Sequence, residues 1–320
     1  MERRISRRDV LGGGLVMGAA AGSLALGLPR GAAVSRELAP PAERKPFPIS
    51  LNTSTLRGHK LPIQKVVEIA STAGYQGIEP WPDEIRRYTE SGGKLRDLAR
   101  QLEDSGLKVT GAIAFFRWMV DDDAERAKAL DEAKRTMEQL AAIGASHVAA
   151  PPSGPVDGVD LLHAAERYRK LLEIGDTTGV IPAVEVWGFR KGLQRLGQAV
   201  LVALEARHPR ACVLPDVYHL YKGGSGLSGI ALLNPKLLGG FHLNDYPADP
   251  PRESIQDRHR VYPGDGVGPL VKLFQDLWSI GYRGTLSIEL FNREYYKQEP
   301  LHVARTALEK TRALLRAAAG

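Results

Sequence analysis

Hydrophobic positions along this chain switch period again and again. Short apolar runs of the length that fills a buried strand alternate with stretches whose apolar residues recur three and four positions apart, as on one face of a helix. The runs predict strands over residues 48–51, 77–80, 107–114, 147–150, 181–186, 211–214, 239–243 and 285–290. The helical pattern covers residues 61–73, 94–105, 123–143, 158–178, 193–206, 268–280 and 301–318, with a short helix around 228–233. In the first helix Ile63, Val66, Val67, Ile69 and Ala70 make the apolar face, and Gly74 supplies the C-terminal stop. Strands joined by crossover helices imply a parallel sheet of the α/β class. Eight such units predict a closed (β/α)8 TIM barrel over residues 47–318, a single domain. An open doubly wound sheet is the alternative, but Leu51-Asn52-Thr53-Ser54 after the first strand is no glycine-rich phosphate loop.

The N-terminus stands outside this alternation. Ser6-Arg7-Arg8-Asp9-Val10-Leu11 is a twin-arginine signature, followed by an apolar, glycine-rich run and then Gly31-Ala32-Ala33. Glycines dilute the run and Pro29-Arg30 ends it, so an export leader over residues 1–33 is favoured over a membrane anchor. A linker over 34–46 follows. The expectation is a periplasmic or secreted protein with no stable membrane span once the leader is removed.

Composition changes this picture little. The 320 residues are 43% hydrophobic and 25% charged, an ordinary globular balance. Part of the formal charge of +6 belongs to the leader, where Arg3, Arg4, Arg7, Arg8 and Arg30 face only Glu2 and Asp9. The mild remainder argues against nucleic acid as a partner. The single cysteine, Cys212, permits no internal disulfide.

The chemistry lies where the strands end. The fifth strand ends on Glu185, the sixth leads to Asp216, the seventh carries His242 and the eighth ends on Glu289. In a parallel barrel those C-terminal ends form one mouth, where active sites of this architecture sit. Three carboxylates and one imidazole suit a hard divalent ion, Mn2+, Mg2+ or Co2+. Any single strand-end carboxylate could instead cap the next helix. His219, three residues after Asp216, either binds substrate, supports the site from behind or lies on a surface loop. Trp187 is a pocket wall or a core residue, and Phe115, Phe116 and Trp118 share that ambiguity. Glu79, ending the second strand beside Pro80 and Trp81, holds either a substrate hydroxyl or a loop.

Ordered motifs along residues 47–315 carry a family resemblance. They are Gly74-Tyr75-Gln76-Gly77-Ile78-Glu79, Val184-Glu185, Asp216-Val217-Tyr218-His219, Gly240-Phe241-His242-Leu243-Asn244-Asp245, Arg260-Val261-Tyr262-Pro263-Gly264-Asp265-Gly266, and Gly281-Tyr282-Arg283-Gly284 with Ser287-Ile288-Glu289. In this order the chain resembles the sugar phosphate isomerase/epimerase superfamily of xylose isomerase-like TIM barrels. The resemblance implies one divalent ion held by Glu185, Asp216, His242 and Glu289, with Glu185 and Glu289 also the acid/base pair. It implies substrate contacts from His219 and from Arg260, although the loop bearing Arg260 differs in length. A second metal site and a catalytic lysine, as in xylose isomerase itself, find no counterpart here.

The expected activity is therefore a metal-dependent isomerase or epimerase of a small sugar or keto-sugar, working through an enediolate. The alternative keeps the metal site and the enolate chemistry but ends as a lyase or hydrolase on 3-keto-glycosides, substrates available outside the cytoplasm. A repair endonuclease of the same barrel superfamily would need more strand-end histidines than this chain has. A non-catalytic sugar-binding barrel would not need the full ligand set. The family often dimerises, so a homodimer stays open.

Overall fold

The computed structural model describes residues 45–320. The leader at 1–33 and all but the last two residues of the linker at 34–46 lie outside the described residues. The strands are β1 (Ile49–Asn52), β2 (Gly77–Glu79), β3 (Lys108–Val109), β4 (His147–Ala150), β5 (Ile181–Glu185), β6 (Val213–Leu214), β7 (Phe241–Leu243) and β8 (Leu286–Ile288). All neighbours pair in parallel, in the orders β3-β2-β1-β8-β7 and β4-β5-β6. Parallel bridges Ile113↔Ala149 and Asp216↔His242 join the two groups on both sides and close the ring. β1 is buried along its whole length, as expected of a strand covered on both faces.

Nine helices pack around the ring among the described residues: α1 (Ile63–Ala73), α2 (Pro82–Glu90), α3 (Leu95–Asp104), α4 (Asp123–Ala142), α5 (Leu161–Thr178), α6 (Leu196–Glu205), α7 (Val217–Lys222), α8 (Leu270–Ser279) and α9 (Pro300–Ala319). The main apolar core lies between helices and strands and includes Leu51, Val67, Ile78, Val148, Val184, Phe241, Leu277 and Leu308. A second, small cluster of Ile113, Ala149, Ala183, Cys212 and Leu214 fills part of the barrel's interior. No described helix is long and apolar enough to cross a membrane.

Two helices depart from the sequence-based expectation. α2 carries five charged side chains in PDEIRRYTE and buries only Glu84 and Ile85, so it has no apolar period to detect. Its start is nonetheless encoded: Pro82 occupies the first turn, and the Glu84 carboxylate accepts the Trp81 N–H at 2.9 Å. α7 replaces the expected loop after β6. Asp216 caps it by accepting the His219 N–H at 2.7 Å, so His219 is helical and buried. The third strand is shorter than 107–114, because the ladder stops at Val109 and resumes only as the bridge at Ile113.

Candidate metal and substrate site

The strand ends deliver the expected side chains to one mouth. Glu79 closes β2, Glu185 closes β5, Asp216 caps α7 just beyond β6, His242 sits within β7 and Glu289 follows β8. All five are at most 3% exposed. One ligand atom from each of Glu185, His242 and Glu289 lies within 4.8 Å of the others. His242 Nδ1 is 3.5 Å from a Glu289 oxygen, 3.7 Å from Glu185 and 3.9 Å from Asp216. That nitrogen is buried and has no hydrogen-bond partner. Such a group is costly unless something else satisfies it.

The opposite nitrogen explains the orientation. His242 Nε2 meets Glu79 at 3.2 Å. Glu79 also accepts from Asn52 at 2.9 Å and from the Ser287 hydroxyl at 2.5 Å. With Nε2–H donated to Glu79, Nδ1 is left facing the three carboxylates, the arrangement by which a carboxylate fixes a metal-binding histidine. Gly111 makes room for this contact: a Cβ there would stand 2.9 Å from a Glu79 oxygen. In this structure Glu79 holds the imidazole, a contact that a strand-end reading could not show.

Asp216 stands beside the trio. One oxygen accepts the His219 N–H, and the other accepts from Asn244 at 2.9 Å and from Arg260 at 3.0 Å. Arg260 is 1% exposed and is the hub of the polar wall. It also donates to Glu289 at 2.7 Å, to Asp257 at 2.5 Å and to His219 Nε2 at 3.1 Å. Burial, with Arg260 adjacent, pushes the His219 pKa down to about 4. A neutral His219 that accepts at Nε2 carries its proton on Nδ1, which is buried and unpartnered. Trp187 is half-buried, its ring 6.2 Å from that of His219. Phe115 is exposed at the same mouth, while Phe116 and Trp118 lie in the core.

Charge balance shows what the site lacks. Four carboxylates, from Glu79, Glu185, Asp216 and Glu289, share two buried cationic groups, His242 and Arg260. Burial raises Glu79, but His242 and the hydrogen bonds from His242, Ser287 and Asn52 outweigh it and hold the carboxyl low. Asp216 is likewise held low, chiefly by Arg260, against its own burial. Glu185 and Glu289 are not compensated. Burial pushes both up, Glu289 to about 8. Burial lowers His242, but Glu79 and Glu289 outweigh it and keep it well above its ordinary range. Two under-compensated carboxylates around an unpartnered imidazole nitrogen fit a divalent cation.

Comparisons with known proteins identify the family. The family model for the xylose isomerase-like TIM barrel matches residues 67–314. The chain belongs to this family. It is similar to inosose isomerase of Bacillus licheniformis, 26% identical over 78% of this chain and 91% of that one. Fructoselysine 3-epimerase of Escherichia coli O157:H7 is 28% identical over 81% of this chain and 96% of that one. 3-Dehydroshikimate dehydratase of Pseudomonas putida is 24% identical over 76% of this chain but only 38% of that longer one. Among solved structures, the IOLI protein, described with a bound zinc atom, superposes with a TM-score of 0.77 at 24% identity, covering 84% of this chain and 98% of that one. That likeness shows the fold.

Several residues of the site carried no role in the sequence reading. Asn52 and Ser287 hold Glu79; Asn244 bridges Asp216 and the Tyr218 N–H; Asp257 steadies Arg260. Asp245 accepts backbone N–H groups from Tyr246, Gly264, Gly266 and Gly268, folding the segment that leads out of Arg260. The glycine spacing at 264, 266 and 268 was the available signal for that turn.

Proposed function

We propose that this chain is a divalent-metal-dependent isomerase or epimerase of a keto-sugar, with Glu185 and Glu289 as its acid/base pair. The observation that carries the reading is the unpartnered Nδ1 of His242 facing Glu185, Glu289 and Asp216. Glu185, His242 and Glu289 would hold the ion, with Asp216 completing the set. A bound dication would polarise a substrate carbonyl and acidify the neighbouring C–H. Mn2+, Mg2+ or Co2+ suits the donors, and zinc, present in the structural neighbour, belongs in the same trial.

The remaining roles belong to the chain's own side chains. Burial pushes the carboxyls of Glu185 and Glu289 up, so in the metal-free site both hold a proton more tightly than an exposed glutamate does, and one of the pair would serve as base while the other serves as acid. β6 and β7 separate β5 from β8 on the ring, so the two glutamates approach the site from different strand ends, and one takes the proton from the carbon beside the carbonyl. That leaves an enediolate, and the protonated partner returns a proton to it. The Nδ1–H of His219, buried and without a partner, is placed to hold a substrate oxygen, whereas the guanidinium of Arg260 would reach one only by giving up one of its bonds to Asp216, Glu289, Asp257 or His219. The relatives with 91% and 96% of their length matched are named as an isomerase and an epimerase.

A second reading keeps the same proton abstraction and ends in elimination, as a lyase on 3-keto-glycosides; the likeness to a dehydratase supports it. The test is to load the metal, incubate with a panel of ketoses and keto-glycosides, and weigh the products. A product of unchanged mass supports isomerisation, and a released aglycone supports the lyase. Glu289→Gln that keeps full turnover would overturn the acid/base assignment. Export to the periplasm or beyond remains our proposal from the leader sequence, and a processed N-terminus in secreted material would test it.

A further inference from the structure

We infer that Arg260 is the resident counter-ion of the metal-free site, and that a divalent ion binds by taking the Asp216 and Glu289 oxygens away from it. The inference rests on the metal-dependent function proposed above and says how its site fills.

Asp216 carries the argument. It is fully buried at the mouth, yet it stands outside the trio of Glu185, His242 and Glu289 whose ligand atoms lie within 4.8 Å of one another. Its bonds give the reason. The oxygen that faces His242 Nδ1 at 3.9 Å, Oδ2, accepts from Asn244 at 2.9 Å and from Arg260 Nη1 at 3.0 Å. Two donors fill the two lone pairs of a carboxylate oxygen. The other oxygen, Oδ1, is turned to the His219 N–H at 2.7 Å and starts α7. An ion can reach Oδ2 only after one of its two donors lets go.

Of the two, Arg260 is the one that would yield. Asn244 is neutral and braced at its far end, where its carbonyl accepts the Tyr218 N–H at 2.8 Å. Arg260 Nη1 also donates to Glu289 Oε2 at 2.7 Å, the same oxygen that lies 3.5 Å from His242 Nδ1. One guanidinium nitrogen thus spans both oxygens that an ion at His242 would draw on. It brings a positive charge into the ion's neighbourhood, and at 1% exposure little water screens the repulsion.

The guanidinium has a second anchor. Its Nε and Nη2 hold Asp257 Oδ1, and the Asp257 side chain is 38% exposed. The rings of Tyr218 and Phe291 lie 4.5 Å and 5.0 Å from its Cζ. A swing about the Asp257 contact would take Nη1 off the carboxylates with the charge still paired. Without metal, the Nη1 contacts spare Asp216 and Glu289 from lying buried as unpaired charges. Arg260 thus keeps the empty site folded and makes the ion compete for it.

Two measurements on the full chain test this. First, Mn2+, Mg2+, Co2+ and Zn2+ are titrated calorimetrically into metal-free wild type and Arg260→Gln, and both are melted without metal. Losing the guanidinium relieves a dication of about twice the repulsion it relieves for a competing proton. We expect affinity for at least one of these ions to tighten at least about tenfold, while the metal-free melting temperature falls. A role in folding alone would lower both. Second, wild-type structures are determined without and with the ion. Nη1 should bond Asp216 Oδ2 in the first; in the second that oxygen should contact the ion, with Nη1 beyond hydrogen-bonding distance. If Arg260→Gln does not fold, the second measurement decides alone. Affinity unchanged or weakened in Arg260→Gln, or an ion bound with both Nη1 contacts intact, overturns the inference and leaves the proposed function standing. If folded wild type binds none of the four ions, the proposed function fails and the inference with it.

Discussion

His242 and His208 each hydrogen-bond a carboxylate from a distant part of the chain, His242 with Glu79 at 3.2 Å and His208 with Asp176 at 3.0 Å. The distances are alike; the surroundings are not. The His242 and Glu79 side chains are 1% and 4% exposed, whereas Asp176 is 49% exposed and also reaches Arg210. Water screens the outer pair, so it adds little beyond tying α5 to the segment before β6. In the inner pair nothing screens, and the second imidazole nitrogen faces three further carboxylates instead of solvent. Burial turns the same contact from a surface tie into a device that aims a lone pair.

The largest difference should appear where the inner cluster does chemistry. Glu289→Gln keeps shape and volume but removes the carboxylate. Turnover should fall about 10²–10⁴-fold, the usual worth of a positioned acid or base. Circular dichroism should be unchanged; full activity would detach Glu289 from the mechanism.

Next in size is the support beneath the imidazole. Glu79→Gln should weaken metal binding about 10–100-fold, measured by titration, because an orienting partner of that kind is commonly worth that much. Gly111→Ala should move affinity in the same direction, since its Cβ would press on the Glu79 carboxylate. Equal affinity in both variants would mean that His242 needs no orienting partner.

The pairs should also differ in how stability follows pH. Glu289 has its folded pKa raised from 4.5 to about 8 by burial. The folded state therefore holds this proton more tightly than the unfolded one. Its contribution is complete below about pH 4.5 and is lost as pH rises through about 8. The raised Glu185 and His242 act with the same sign. His219, lowered from 6.5 to about 4, acts with the opposite sign up to about pH 6.5, so metal-free protein should lose melting temperature between about pH 6.5 and pH 8, and saturating divalent metal should remove the trend. A metal-free melting temperature that climbs across this window would contradict the charge balance. The smallest effect belongs to the outer pair: Asp176→Asn should leave the melting temperature at pH 7 within experimental scatter.

Much of this was legible in the sequence, for identifiable reasons. A buried parallel strand announces itself as an apolar run, and a metal-capable side chain at its end has one mouth to face. Hence Glu185, Asp216, His242 and Glu289 could be named from the strand pattern. The partners could not. Ser287 and Glu79 touch across 208 residues of chain, and Asn52 and Glu79 across 27. Serine and asparagine have many uses and no periodic signature. α2 escaped because its stability comes from a proline start and a carboxylate cap, with almost no buried face. α7 escaped because capping was weighed as an alternative to a place in the site, whereas Asp216 does both, one oxygen starting the helix and the other facing Asn244 and Arg260.

The central claim is that the empty bonding position at His242 Nδ1 exists for a divalent ion. Calorimetric titration of the metal-free protein with Mn2+, Mg2+, Co2+ and Zn2+, repeated in buffers of different ionisation enthalpy, tests it directly. The account predicts one tightly bound ion per chain for at least one of these metals. It predicts proton release on binding at pH 7, because His242 and Glu289 must give up protons that the metal-free site retains. It also predicts that His242→Ala loses that binding. A wild-type chain that binds none of the four, or a His242→Ala variant that binds as tightly as wild type, would contradict it.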